Sequence, residues 1–316
     1  MLLGLSFCPL DWRRRLMSVP EVGGGEVRLR TIPGKITAHT GLLGVIGYPV
    51  EHSLSPLMHN AALQAQGLDM VYLAFSVQPF HLGAAIAGAR ALGVRGLNVT
   101  VPHKEAILGL LDGLDDLAAR VGAVNTVVNE DGRLVGHNTD VVGFLEALGT
   151  SVQGGASGRR FLVAGAGGAA RAVVAGLCRE GASQVWLYNR TEERSQALCR
   201  VAREWGPTEC RVASAPMLRE IATCVDVIVN ATSVGMGETV KSTPIPVDIV
   251  DSRHVVFDLV YGPRPTALIA HARAQGAVAM DGKEMLLRQA ASSYELWTGR
   301  EAPVEVMRIA IESVGS

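Results

Sequence analysis

From Gly41 onward the chain alternates short apolar runs with longer stretches at helical spacing. LLGVIG (42–47) is an apolar run bounded by glycines, which predicts a buried strand. After a polar loop, PLMHNAALQAQG predicts a helix with Pro56 at its first position and Gly67 past its end. VYLAFSV predicts a second strand, FHLGAAIAGARALG a second helix, and GLNVTV a third strand leading into a helix across HKEAILGLLDGL. AVNTVVN and RLVGHN flank EDG, the pattern of a hairpin turn.

A second series begins near Arg159. RRFLVAG predicts a strand, residues 168–180 a helix, and QVWLYN (184–189) a strand. The helix EERSQALCRVAREW follows, then strands in VDVIVN (225–230), VVFDLVY (255–261) and AVAMDG (277–282). Strands alternating with helices imply mainly parallel sheets covered on both faces, an α/β fold. Two such series, separated near 140–158, suggest two α/β domains. Residues 1–40 lack clear periodicity and are expected to form a loosely attached extension, with Met17 an alternative start.

Bulk properties narrow the function classes. The 316 residues suffice for two domains with a sizeable core, and 48% hydrophobic with 19% charged residues is a globular profile. With 29 Lys+Arg against 30 Asp+Glu and only 5% aromatics, the chain offers neither a field nor a stacking platform for nucleic acid. The apolar MLLGLSFCPL precedes DWRRR, the reverse of a signal peptide, and no apolar stretch reaches the ~20 residues of a spanning helix. Five scattered cysteines without C-x-x-C argue against a disulfide framework or zinc site and fit a reducing, cytoplasmic compartment. No histidine pattern supports a catalytic metal.

VAGAGGAARAVVAGL places Gly165, Gly167 and Ala170 in G-x-G-x-x-A, directly after a strand and opening a helix. Small residues let the backbone turn tightly and approach a pyrophosphate at the helix N-terminus, so 165–169 (Gly165, Ala166, Gly167, Gly168, Ala169) is a dinucleotide-binding candidate. The next strand ends in Asn189 instead of the Asp or Glu that accepts a ribose 2′-hydroxyl; Arg190, Thr191 and Arg194 follow. No carboxylate there repels a 2′-phosphate, and two guanidiniums can hold one, which favours NADP over NAD.

Four further segments carry polar groups at strand or helix ends. In HSLSPLMHN, Ser55 before Pro56 suits a helix N-cap, and Ser53 with Ser55 equally suits a carboxylate pocket. In LNVTVPHK, alternation puts Asn98 and Thr100 on one strand face, and Pro102 ends the strand. Lys104 then sits in a first helical turn, where the dipole gives a cation no benefit. In GHNTDVVGF, Asp140 is either an N-cap or a partner for a lysine across a cleft. Gln289 in GKEMLLRQA shares a helical face with Met285; buried, it needs partners that a polyhydroxylated ligand would supply.

Taken in order, S-L-S-P after a G-x-I-G strand, NVTVPHK, GAVNT, NTD, GAGGAA, NRT, NATSVGM and GKEMLLRQA resemble the shikimate dehydrogenase family over residues 41–316. The resemblance implies a substrate-binding domain of residues 41–139 completed by 283–316, and a Rossmann-type NADP domain of 140–282. It implies NADP-dependent reduction of 3-dehydroshikimate to shikimate in aromatic amino-acid biosynthesis. Ser53 and Ser55 would then bind the substrate carboxylate. Asn98, Thr100, Asn125 and Gln289 would join Lys104 and Asp140 around the ring hydroxyls, with Tyr261 nearby. Arg190 and Arg194 would clamp the 2′-phosphate beside Asn189 and Thr191, and Asn230, Thr232 and Gly282 would lie along the cofactor.

Reduction of a ketone needs a hydride at carbon and a proton at oxygen, and a charged lysine beside an aspartate suits the second task. Lys104 and Asp140 are therefore the expected catalytic pair; His103 has no assigned role. The partners implied are a small hydroxylated acid and NADP, with no nucleic acid, no membrane, and room for a homodimer. The rival readings are a quinate/shikimate dehydrogenase with relaxed cofactor use, and a non-catalytic sensor on the same fold.

Overall fold

A computed structural model describes residues 36–262 and 264–313. The extension expected over 1–40 therefore lies outside the described residues, except for 36–40.

The first part of the chain runs β1 (Gly41–Gly47), α1 (Ser55–Ala65), β2 (Met70–Ser76), α2 (Leu82–Ala91), β3 (Gly96–Val99), α3 (His103–Ala106), β4 (Gly113–Leu114), α4 (Asp116–Val121), β5 (Thr126–Glu130) and β6 (Arg133–His137). Its six strands form one sheet in the order β2–β1–β3–β5–β6–β4. β1 runs parallel to β2 and β3, and β4 parallel to β6, while β5 is antiparallel to β3 and β6. The antiparallel β5–β6 pair arises where EDG makes a two-residue hairpin: Asp131 and Gly132 both have positive φ (51° and 95°), the geometry whose twist matches paired strands.

The second part runs α5 (Asp140–Ser151), β7 (Arg160–Ala164), α6 (Gly168–Arg179), β8 (Gln184–Tyr188), α7 (Glu192–Ala202), β9 (Glu209–Ala213), α8 (Leu218–Ala222), β10 (Val227–Asn230), β11 (Val255–Asp258), α9 (Ala267–Ala274) and β12 (Val278–Met280). These strands form an all-parallel sheet in the order β12–β11–β10–β7–β8–β9, the doubly wound arrangement of a dinucleotide fold. Helices α10 (Lys283–Thr298) and α11 (Val304–Glu312) then return to the first sheet. There Leu287, Ala290, Tyr294 and Met307 join Leu43, Met58 and Tyr72 in one buried cluster.

One predicted helix is much shorter than its pattern suggests. HKEAILGLLDGL keeps only the turn of α3 and a 3₁₀ turn at Leu108–Leu110 before Leu111 becomes extended. The Asp112 carboxylate accepts from the Leu134 backbone N–H at 2.7 Å, so edge pairing through β4 captures residues that local periodicity assigned to a helix. The strand predicted through GLNVTV likewise stops at Val99, which leaves Thr100 in the connection to α3. β9, α4 and α8 carry no pattern strong enough to have been foreseen.

α5 and α10 cross closely. A Cβ on Gly143 would stand 2.8 Å from the backbone nitrogen of Gln289 and 3.0 Å from the Met285 carbonyl, so only glycine permits this spacing. The first residue of α5 and the middle of α10 are thereby brought to one place.

Candidate active site

Lys104 and Asp140 meet. The Lys104 ammonium donates to Asp140 Oδ2 at 2.5 Å, with the side chains 15% and 5% exposed. Asp140 is the first residue of α5, Thr139 is its N-cap, and no side chain caps the helix. The N-cap alternative for Asp140 is thus set aside: its carboxylate is used across the cleft, not on its own helix. Its second oxygen accepts from Asn125 Nδ2 at 2.9 Å. The same nitrogen lies 3.3 Å from Gln289 Oε1 and 2.8 Å from Thr139 Oγ1, while Asn125 Oδ1 accepts from the Thr139 N–H at 2.7 Å. A buried amide with this many contacts has a fixed orientation, and it fixes the carboxylate in turn.

The lysine also touches the glycine-rich turn. A Cβ on Gly168 would lie 2.9 Å from Lys104 Cβ and 3.2 Å from Cδ, so the lysine stem rests on the bare backbone where α6 begins. Gly165 has φ +120° and would place a Cβ 2.9 Å from the Ala231 carbonyl oxygen, a position restricted to glycine. Gly167 precedes α6 with no side-chain cap, and a Cβ there would meet nothing within 4 Å. Among the described residues no side chain caps the first turn of this 12-residue helix, and open space lies beside Gly167 at its start.

A dinucleotide phosphate fits this cradle. At the end of β8, Asn189 turns its amide onto the Thr191 carbonyl at 2.8 Å, and Arg190, Thr191 and Arg194 are exposed. No carboxylate belongs to the Asn189–Thr191 turn, so these residues fit a 2′-phosphate. Asn230 behaves differently from its expected place along the cofactor. Fully buried, it donates to Asp258 Oδ1 (2.8 Å) and the Val234 carbonyl (3.0 Å) and accepts from Thr232. Its amide is used up in shaping the 231–234 loop. Thr232 and Gly282 stay beside the turn and the Leu259 backbone respectively.

On the first sheet, Ser55 is the first residue of α1 and Leu54 its N-cap, again without a side-chain cap bond. The N-cap alternative for Ser55 is therefore also set aside. Ser53 Oγ accepts from the Ser55 N–H at 3.3 Å, which sets the two serines side by side. The Ser55 hydroxyl neighbours the buried Tyr72 phenol, whose pKa burial holds well above the usual tyrosine range; Ser55 opposes that shift and nearby Tyr261 adds to it. Tyr72 donates to Asn98 Oδ1 at 2.6 Å. Asn98 Nδ2 faces Ser293 Oγ (3.0 Å), Thr126 Oγ1 (3.2 Å) and the Asn125 carbonyl (3.2 Å).

Ser293 and Thr126 lie 2.7 Å apart, and Ser293 also meets Thr139 at 3.1 Å, so one buried polar network runs from Ser55 to Lys104. Asn98 is an interior member of that network, and it does not share an open strand face with the half-buried Thr100. His103 is 1% exposed and bonds the Val77 carbonyl at 2.7 Å through Nε2, which pins α3 beneath the site.

Tyr72, Thr126, Thr139 and Ser293 were not foreseen. Ser293 had a signal, since it stands one helical turn after Gln289 on α10; the threonines adjoin residues already singled out. Nothing local marks Tyr72.

Three comparisons bear on the arrangement. Residues 45–127 match the profile of the shikimate dehydrogenase substrate binding domain, 147–258 that of shikimate / quinate 5-dehydrogenase, and 282–312 that of the shikimate 5′-dehydrogenase C-terminal domain. The shikimate dehydrogenase (NADP(+)) of Moorella thermoacetica is 49% identical over 286 residues, covering 89% of this chain and 96% of that protein. The crystal structure of shikimate dehydrogenase from Aquifex aeolicus is similar with TM-score 0.80 and 42% identity, over 88% of this chain and 99% of that one. That of the Thermus thermophilus enzyme in complex with NADP(H) and shikimate gives TM-score 0.76 and 38% identity, over 86% and 99%.

Proposed function

The chain belongs to the shikimate dehydrogenase family, and from that membership we infer that it catalyses the reversible, NADP-dependent reduction of 3-dehydroshikimate to shikimate. One observation carries the reading beyond the likeness. A lysine–carboxylate pair, shielded from water, rests directly on the turn that suits a dinucleotide pyrophosphate. A protein that only bound these ligands would need no such proton-handling pair.

The residues divide the work as follows. Ser53 and Ser55 hold the substrate carboxylate at the start of α1. Thr100, Asn125, Gln289 and Tyr261 surround the ring hydroxyls, and Asn98 acts through the buried network that orients them. Bound NADPH supplies the hydride. The Lys104 ammonium lies ready to donate its proton to the oxygen that gains charge as the ketone is reduced, and the neutral amine takes one back in oxidation. Asp140 keeps the ammonium in place and balances its charge, while Asn125 keeps Asp140 in place. Arg190 and Arg194 hold the 2′-phosphate, and Gly165–Ala169 carry the pyrophosphate against the α6 N-terminus.

The two sheets support a substrate domain of 41–139 plus 283–316 and an NADP domain of 140–282. No described helix is long and apolar enough to cross a membrane. Among the described residues Cys178, Cys199, Cys210 and Cys224 are free thiols, which supports a reducing setting. A homodimer would show in sedimentation equilibrium as twice the chain mass.

The test is absorbance in the reduced-nicotinamide band when purified protein meets shikimate and NADP, repeated with quinate and with NAD. Shikimate with NADP should be preferred; a preference for quinate with NAD would sink the reading. Lys104→Ala should lower kcat by about two orders of magnitude or more with far less change in substrate binding. Near-normal turnover would remove Lys104 from the mechanism.

A further inference from the structure

Arg194, on α7 beside the second sheet, reaches Glu105 on α3, the helix that carries Lys104. Arg194 Nη2 stands 3.3 Å from Glu105 Oε1, with side chains 55% and 43% exposed. Among the described residues Arg190 makes no ion pair, so the two candidate phosphate ligands begin in different states. One is unpaired, and the other is already partnered by a carboxylate from the opposite side of the cleft.

We infer that Glu105 is a specificity-tuning counter-ion that competes with the 2′-phosphate of NADP for Arg194, an inference that rests on reading Arg194 as a phosphate ligand. A dianionic phosphate and a carboxylate compete for the donors of one guanidinium, and each repels the other, so the phosphate gains Arg194 in full by displacing Glu105. Such displacement is feasible because the pair is solvated and weak. It also leaves Glu105 a second cation. Arg171, in the first turn of α6, is close enough for the Glu105 charge to act on it, and its Nε is fixed on the Val121 carbonyl at 2.6 Å. Arg171 is held by burial and that carbonyl, whereas among the described residues the Arg194 side chain has Glu105 as its one ion-pair partner and is free to exchange it.

Glu105 adjoins Lys104 in sequence, so the exchange has a geometric consequence. Without a 2′-phosphate, α7 is tied to the helix bearing the proton donor. With one, Arg194 turns to the cofactor and α3 is released from α7. NAD, lacking that phosphate, leaves the tie intact. Glu105 thus lowers affinity for NADP alone, and with it the preference for NADP over NAD.

The experiment measures dissociation constants for NADP, 2′,5′-ADP and NAD by calorimetry on the full chain, for wild type, Glu105→Gln, Glu105→Asp, Arg194→Gln and the Glu105→Gln/Arg194→Gln double variant. Loss of an exposed competing carboxylate should tighten NADP and 2′,5′-ADP by about twofold to fivefold and leave NAD unchanged. Glu105→Asp should stay closer to wild type, and the gain should vanish in the Arg194→Gln background. Unchanged or weaker NADP binding in Glu105→Gln, while Arg194→Gln loses about tenfold or more, overturns the competition but keeps Arg194 as a phosphate ligand. Unaltered NADP binding in Arg194→Gln overturns both.

Discussion

Replacing Gly168 by alanine sets helix propensity against catalysis. Gly168 opens α6, and its φ is not among the positive values, so alanine is locally allowed and should favour the helix by up to about 1 kcal/mol. The new methyl, however, would lie 2.9 Å from Lys104 Cβ and 3.2 Å from Cδ. Ordinary carbon contacts begin near ~3.5 Å, so the lysine stem must retreat by roughly 0.5–1 Å. It must do so at its root, where bond rotation cannot absorb the shift.

A displacement of that size pulls the ammonium from its 2.5 Å contact with Asp140 and, on the proposed mechanism, from the oxygen it would protonate. Misplacement by ~1 Å costs on the order of 100-fold in rate, so kcat should fall by about 10- to 100-fold, or ~1.4–2.7 kcal/mol of barrier. Gly167→Ala is the contrasting variant, because its methyl would enter the open space assigned to the pyrophosphate. It should raise the KM for NADP by about tenfold with a smaller change in kcat. Steady-state kinetics with shikimate and NADP, paired with thermal melts, would separate the two. Gly168→Ala with kcat within about twofold of wild type would refute a catalytic role for this contact.

Gly143→Ala should push α10 from α5, since its methyl would meet backbone atoms of Gln289 and Met285. We expect about 1–3 kcal/mol lost in urea unfolding and a raised KM for shikimate as Gln289 leaves Asn125. Fully buried His59 stacks on Tyr72 at 4.3 Å, and burial holds its pKa down at about 3, offset in part by neighbouring Asn98. The unfolded chain takes up that proton below its ordinary pKa near ~6.5 and the folded chain does not until about 3, so this stability is full above that upper value and lost as pH falls. Between pH 7.5 and pH 5, His59→Phe should flatten the decline in unfolding free energy by roughly 2 kcal/mol; an unchanged slope would show that His59 is not buried neutral.

Much of the site was legible because its chemistry is written in short contiguous stretches. G-x-G-x-x-A marks a turn that few residue types can make, and the structure uses Gly165 at φ +120° there. The missing acid at Asn189 was equally visible, as absence of a carboxylate is a one-residue fact. Ser55 and Asp140 were ambiguous for a physical reason: a helix start suits both a cap and a ligand, and only the partners decide. In the fold both sit one place inside the helix, with their side chains turned elsewhere. Asn98 and Asn230 show what a local reading leaves out. Polar residues at strand ends looked ready for ligands, yet both amides are consumed by interior partners distant in sequence.

By itself the sequence determined the alternation of strands and helices, the phosphate turn, the NADP-type end of β8, and Lys104 and Asp140 as candidates for a proton-handling pair. These depend on local backbone freedom and on residue type. Tertiary structure alone decided that Lys104 rests on Gly168, that Asn125 holds Asp140, that Ser293 and Tyr72 close one buried network, and that Arg194 already has a carboxylate. Each of those contacts joins segments that share no local pattern. What brings them together is close packing, above all where Gly143 lets α5 and α10 cross, and packing is a property of the whole fold.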